Sequence, residues 1–175
     1  MDLAVIKSMI RIKEDFPQKG ISFKDITPVL LDARAFKYVT KELCEDFYGD
    51  DIDLVVGPEA RGFIVGSAVA YEMGTGFVPV RKPGKLPADV VKYEYQLEYG
   101  MDALEMHKDA IKPGQKVIIV DDLLATGGTV SATANLVESL GGIVKAFVFI
   151  IELTDLSGRE RLKDYKVKSL IDYPV

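Results

Sequence analysis

The sequence predicts an α/β protein built on a doubly wound, mainly parallel sheet, and three observations lead there. Apolar runs and helical spacings follow one another as strand, helix, strand over residues 53–81, the pattern of a βαβ unit. The segment Lys116-Val117-Ile118-Ile119-Val120 is continuously apolar after its first residue, as expected of a central parallel strand covered on both faces. No internal repeat and no Pro/Gly/Ser-rich linker divides the 175 residues, a length close to one domain of roughly 150. The expected organisation is a single domain over 1–175, with an N-terminal arm over about 1–31 and an α/β core over 32–175.

In chain order, Leu3, Ile6, Met9, Ile10 and Ile12, with Lys7, Arg11 and Lys13 between them, have the spacing of an amphipathic helix that Phe16-Pro17 ends. Residues 20–31 carry no clean period. Asp32 can cap a helix reaching about residue 48, with Phe36, Val39, Leu43 and Phe47 on one face. A strand over 53–57, a helix over 61–73 and a strand over 76–81 follow. Residues 93–100 alternate tyrosines with acids and read as an exposed hairpin strand. A helix is expected over 102–111, then a strand over 116–120, a glycine turn, a helix over about 128–140 and a strand over 143–152. Cys44 falls on the amphipathic helix and reads as core, and His107 reads as a surface residue.

Composition narrows the function. Hydrophobic residues at 48% and charged residues at 28% exclude extensive disorder. Lys plus Arg is 22 against 27 Asp plus Glu, a net charge of −5, which disfavours general binding to nucleic acid or anionic membrane and makes any anion site local. One Cys and one His form neither an intramolecular disulfide nor a Cys/His zinc cluster, which fits a reducing compartment. The longest apolar run, residues 146–151, is far short of the roughly 20 needed to span a bilayer. The first seven residues place an acid before a base and lack a small-residue cleavage site, so they do not read as a signal peptide; a cytoplasmic protein is expected.

In a doubly wound sheet, ligands bind beyond the carboxyl ends of the strands, so the residues after each strand carry the chemistry. In Val120-Asp121-Asp122-Leu123-Leu124-Ala125-Thr126-Gly127-Gly128-Thr129, a buried strand delivers two acids, and a loop with two glycines and two hydroxyls opens a helix. Such a loop aims backbone N–H groups and the positive end of a helix at one spot. Two adjacent carboxylates repel each other and point to a polyhydroxyl ligand or a metal–phosphate complex. Neither a Gly-x-Gly-x-x-Gly nor a Walker pattern is present. Gly57-Pro58-Glu59-Ala60-Arg61-Gly62-Phe63 offers an arginine fork after a second strand; alone it reads as a helix start with a solvated arginine or as a phosphate contact. Arg81-Lys82-Pro83-Gly84-Lys85-Leu86-Pro87 places three cations after a third strand, either in a surface loop or on the ligand side of the sheet.

These segments, with Leu97-Glu98-Tyr99-Gly100 and Phe16-Pro17-Gln18-Lys19-Gly20-Ile21-Ser22-Phe23-Lys24-Asp25-Ile26-Thr27-Pro28, resemble the type I phosphoribosyltransferase family in its adenine-specific form, in five stretches running in the family's order from about residue 16 to 154. The resemblance implies transfer of the 5-phosphoribosyl group from phosphoribosyl diphosphate (PRPP) to adenine, giving AMP and diphosphate in purine salvage. By the same resemblance, Asp121 and Asp122 hold the ribose, and Ala125, Thr126, Gly127, Gly128 and Thr129 hold the 5′-phosphate. Arg61, Arg81 and Lys85 meet the diphosphate, and Glu98 is the acid/base at N7 of the purine, carried on a flexible loop over about 82–100. Ser22, Phe23 and Lys24 belong to an N-terminal hood in which Phe23 stacks on adenine and backbone groups around Ser22 and Lys24 bond its edge. The resemblance further implies Mg²⁺ bound with PRPP without direct protein ligands, and a homodimer. Glu152-Leu153-Thr154 is given a structural role. The alternatives are a phosphoribosyltransferase for xanthine, hypoxanthine or guanine, and a non-catalytic PRPP-sensing regulator.

Overall fold

The structure, a computed structural model, describes residues 1–96 and 101–174. The N-terminal arm opens with α1 (Leu3–Met9), capped by the Asp2 carboxylate, which accepts from the Val5 N–H at 2.9 Å. The helical spacing predicts a longer element, but the chain turns extended at Ile10, and β1 (Arg11–Lys13) pairs antiparallel with β2 (Phe23–Asp25). Burial explains the difference: Ile6 and Ile10 are in the core whereas Ile12 is half exposed, so nothing favours a further helical turn. The aperiodic stretch then yields α2 (Thr27–Leu31), with Pro28 in its first turn where no N–H is needed. Asp32 caps α3 (Ala33–Cys44) as expected, accepting from the Arg34 and Ala35 N–H groups at 2.9 Å each, and a 3₁₀ turn, Glu45–Phe47, extends it.

The core elements are β3 (Leu54–Pro58), α4 (Arg61–Met73), β4 (Gly76–Val80), the hairpin β5 (Val90–Gln96) and β6 (Met101–His107), β7 (Lys116–Leu124), α5 (Gly128–Ser139), β8 (Ile143–Leu153), α6 (Gly158–Arg161) and β9 (Lys166–Tyr173). Five of these strands form a parallel sheet in the order β4-β3-β7-β8-β9. The chain leaves β3 toward one edge to make β4 and returns to the other side of β3 for β7. The direction of winding therefore reverses between β3 and β7, and a crevice opens beyond their carboxyl ends.

Alternating side chains of the central strands serve two cores. Ile118 and Val120 pack with Val55, α3, α4 and the arm, whereas Val117 and Ile119 pack with Val56, α5 and the hairpin strand β6. Cys44 lies wholly in the first core, and burial pushes its thiol up to about 11, which keeps it unreactive.

The helix expected over 102–111 is instead β6. Ala103, Leu104, Glu105 and Met106 have good helix propensity, but pairing with β5 and burial of Leu104 and Met106 in the second core override it. His107 accordingly sits at a strand end, half-buried, with Nε2 enclosed and lacking a hydrogen-bond partner among the described residues, rather than on a helix surface. Among the described residues no helix is long and apolar enough to cross a membrane.

Candidate active site

The crevice at the winding reversal collects most of the residues singled out in the sequence. β7 runs on through both acids to Leu124, so Asp121 and Asp122 are held within a strand rather than after it, and Asp121 pairs in register with Phe149 of β8. The Asp121 carboxylate accepts from the Asp122 N–H at 2.8 Å. Burial, then the neighbouring Asp122 charge, pushes the Asp121 carboxyl well above the usual carboxylate range; burial also raises Asp122, against the pull of Arg61. The space beside Asp121 is closed by Gly62, where a Cβ would come 2.9 Å from its Oδ1. Asp122 is 4% exposed, and its Oδ2 has no hydrogen-bond donor among the described residues although Arg61 Nε approaches to 3.0 Å. The ion pair is close but off the hydrogen-bonding line, leaving that oxygen able to accept from a hydroxyl.

Beyond β7, Ala125, Thr126, Gly127, Gly128 and Thr129 wrap a cavity of about 90 Å³ that also touches Asp121. Gly127 has φ +77°, a left-handed conformation that turns the chain into α5. Backbone amides, the two threonine hydroxyls and the helix end suit this cavity to an anion, and Arg161 of α6 stands close by, its Nη1 3.2 Å from where a Cβ on Gly128 would be. One support escaped the sequence reading: Gly158, at the start of α6, packs on this loop so closely that a Cβ there would lie 2.1 Å from the Ala125 carbonyl oxygen. The only sequence signal for it was a glycine within a charged stretch.

A second cavity, of about 230 Å³, is bounded by Glu59, Ala60, Arg61, Asp121, Asp122, Leu123 and Thr129. Glu59 gathers the cations of the neighbouring loop: its Oε2 lies 3.2 Å from both Arg81 Nη2 and Lys85 Nζ, and its Oε1 accepts from the Lys82 N–H. Burial alone would raise the Glu59 carboxyl, but these three donors outweigh it and hold the group below its ordinary value. Lys82 is turned away and pairs with Asp102, and Lys92 pairs with Glu94 at 2.7 Å. Of the predicted cations, Arg61, Arg81 and Lys85 therefore border one region and Lys82 does not.

The arm reaches the crevice through Phe23, whose ring carries the Arg61 guanidinium at 4.9 Å and meets Phe16 edge-on at 5.3 Å. Lys24 faces elsewhere: it is buried, and its ammonium bonds Ser22 Oγ at 2.6 Å, which in turn donates to Glu14 at 2.9 Å. Of Ser22, Phe23 and Lys24, only Phe23 thus points its side chain at the site. Glu98 lies outside the described residues. Glu152 is structural, buried and bonded by Arg159 and Ser169.

A five-stranded parallel sheet whose winding reversal carries paired acids between two anion-facing loops defines a phosphoribosyl transferase domain, and residues 24–174 match that family. The chain is 62% identical over 168 residues to the adenine phosphoribosyltransferase of Alkaliphilus oremlandii, covering 96% of this chain and 98% of that one. It superposes on the crystal structure of adenine phosphoribosyltransferase from Thermoanaerobacter pseudethanolicus with a TM-score of 0.95 at 60% identity, covering 98% and 99% of the two chains. The Saccharomyces cerevisiae enzyme, crystallised with adenine and an imino-altritol bisphosphate, gives a TM-score of 0.91 at 40% identity, with 96% and 97% covered. The chain belongs to the adenine phosphoribosyltransferase family.

Proposed function

We propose that the protein transfers the 5-phosphoribosyl group from PRPP to adenine, forming AMP and releasing diphosphate. The observation that carries this reading is Arg61, which stands 3.0 Å from Asp122 and 4.9 Å from the Phe23 ring. One cation thereby joins the acids that would take the ribose to the aromatic ring that would take the base. In this reading the 5′-phosphate sits in the loop 125–129, and the ribose hydroxyls donate to Asp121 and Asp122, including the Oδ2 that lacks a donor. The diphosphate meets Arg61, Arg81 and Lys85. Adenine stacks on Phe23, with backbone groups near Ser22 and Lys24 reading its edge.

The reaction breaks the bond from C1 of ribose to diphosphate oxygen while N9 of adenine attacks the opposite face, so the protein's part is positioning and charge stabilisation. Glu98 would exchange the proton at N7. Loop 82–100, of which the described part includes β5, would cover the site and exclude water.

Mg²⁺ would come with its substrate, since this hard cation is commonly held by substrate phosphates and water, and the cavity beside Arg61 is open to such a complex. When bound it would neutralise charge on the departing diphosphate.

A homodimer belongs to the same proposal. The outer faces of α3 and α4 form an open apolar groove of about 760 Å³ that includes Phe36, Phe63, Ile64, Ala68 and Tyr71, and Tyr71 is 89% exposed. Tyr71→Asp would then lower the mass seen by light scattering. We also place the protein in the cytoplasm, in keeping with its single buried thiol.

The deciding assay is AMP formation from adenine and PRPP with and without Mg²⁺, run beside hypoxanthine. Turnover of adenine but not hypoxanthine is expected, because a 6-amino group requires an acceptor where a 6-oxo group requires a donor. Tight PRPP binding without AMP formation would instead identify a PRPP sensor. Glu98→Gln should lower kcat far more than it alters PRPP affinity.

A further inference from the structure

We infer that Tyr173, on the last strand of the sheet, is a positioning residue for base recognition. The inference rests on the reading above in which Phe23 receives adenine, and it concerns what holds Phe23 in place. β1 and β2 are three residues each, and a two-stranded ribbon of that size has little stability of its own. Its attachment to the core must come from other contacts, and these converge on one ring.

Tyr173 is 8% exposed and belongs to the same core as Ile6, Ile10 and Ile26 of the arm. Its hydroxyl donates to the Lys7 carbonyl at 3.2 Å, while Lys7 Nζ donates to the Asp172 carbonyl at 2.8 Å and lies 4.7 Å from the Tyr173 ring centre. Lys24, the residue next to Phe23 on β2, places its ammonium 5.4 Å from the same ring. Two cations from two elements of the arm therefore share one aromatic ring, and a reciprocal pair of side-chain-to-carbonyl hydrogen bonds joins α1 to β9. Lys24 is buried, bonds Ser22 Oγ and has the Tyr173 ring as a second contact.

Because side chains alternate along a strand, Lys24 and Phe23 leave β2 on opposite sides, and fixing one fixes the aim of the other. Asp25, the next residue, pairs with Arg11 of β1 at 3.3 Å and so carries the constraint across the ribbon. Among the described residues Tyr173 has no hydrogen bond or ring contact with loop 125–129, and its one link to the diphosphate side runs through Phe23 to Arg61. Its loss should therefore act on the base far more than on PRPP.

The test is steady-state kinetics on the full chain, varying adenine at saturating PRPP and the reverse, for Tyr173→Leu, Tyr173→Phe and Phe23→Leu. Tyr173→Leu is expected to raise KM for adenine on the order of five- to thirtyfold, the scale of a lost desolvated cation–π contact plus a hydrogen bond, with KM for PRPP changed less than about twofold. Tyr173→Phe, which keeps the ring, should restore most of the adenine KM. If Tyr173→Leu does not fold, Lys7→Met at the exposed end of the same contact should raise KM for adenine about two- to threefold with PRPP unaffected. An unchanged adenine KM in Tyr173→Leu, or a parallel rise in both KM values, overturns the inference while Phe23→Leu still weakens adenine. If Phe23→Leu also leaves adenine KM unchanged, the hood reading itself fails and the inference falls with it.

Discussion

The three loops that face the crevice offer an anion two different kinds of contact. The loop after β7 presents mainly backbone amides, Thr126, Thr129 and the start of α5, with Gly127 in a left-handed conformation, Gly158 pressed against Ala125 and Arg161 close to Gly128. The loops after β3 and β4 depend on side-chain cations, and each of these already has a carboxylate: Arg61 has Asp122, and Arg81 and Lys85 share Glu59. The first arrangement is set by backbone geometry and is lost in one step when that geometry is disturbed. The second is graded and sensitive to ionic strength, as expected of partly exposed charges. A group retained throughout the reaction suits the first kind of site, and a leaving group suits the second.

That contrast can be broken most directly at Gly158. Gly158→Ala places a methyl group where the Ala125 carbonyl stands, and the displaced loop should cost PRPP binding about 100-fold, near 3 kcal/mol, measured by calorimetry at constant salt. Wild-type affinity would mean that the loop tolerates movement. Thr126→Val removes one hydroxyl and leaves the backbone, for an expected loss of about 1–3 kcal/mol that does not change with salt. Lys85→Met should cost about 1 kcal/mol at low ionic strength, and the penalty should shrink as salt is added. Equal salt dependence for these two variants would erase the distinction between the loops.

The smallest effect is on stability. Asp121 has its folded pKa raised above the unfolded value, so burying it costs nothing while it is protonated in both states, below the unfolded pKa. As pH rises through the folded pKa, the wild-type chain loses stability that Asp121→Asn keeps. The variant should therefore melt higher near neutrality, by about 1 kcal/mol or a few degrees, with the difference fading toward about pH 4 while PRPP binding is impaired. A melting temperature that is lower at every pH would show that the buried charge is fully compensated.

What could be read in the sequence follows from where the constraints lie. The strand through Val117 and Ile119 and the glycine turn into α5 were legible because burial on both faces and an obligatory backbone turn leave a local record. The reading failed where distant contacts decide. Residues 102–107 carry helix formers but pair with β5, and Arg11–Lys13 leave the helical spacing to pair with β2. β9 went unassigned because Lys166, Lys168 and Asp172 interrupt its apolar pattern at a sheet edge. Within the site, the acids, cations and cradle were visible as motifs. The support from Gly158 and the aim of Lys24 toward Tyr173 were not, since each depends on a neighbour remote in sequence.

The contacts of Lys7 with residues 172 and 173 span 165 and 166 positions. During synthesis the arm emerges well before its anchor, so the hood cannot settle until β9 has been made. The anion-binding loops need only the sequence through α6 and are complete earlier. Nascent chains stopped before β9 should thus be the forms in which the apolar faces of Ile6, Ile10 and Ile26 are most open to chaperones.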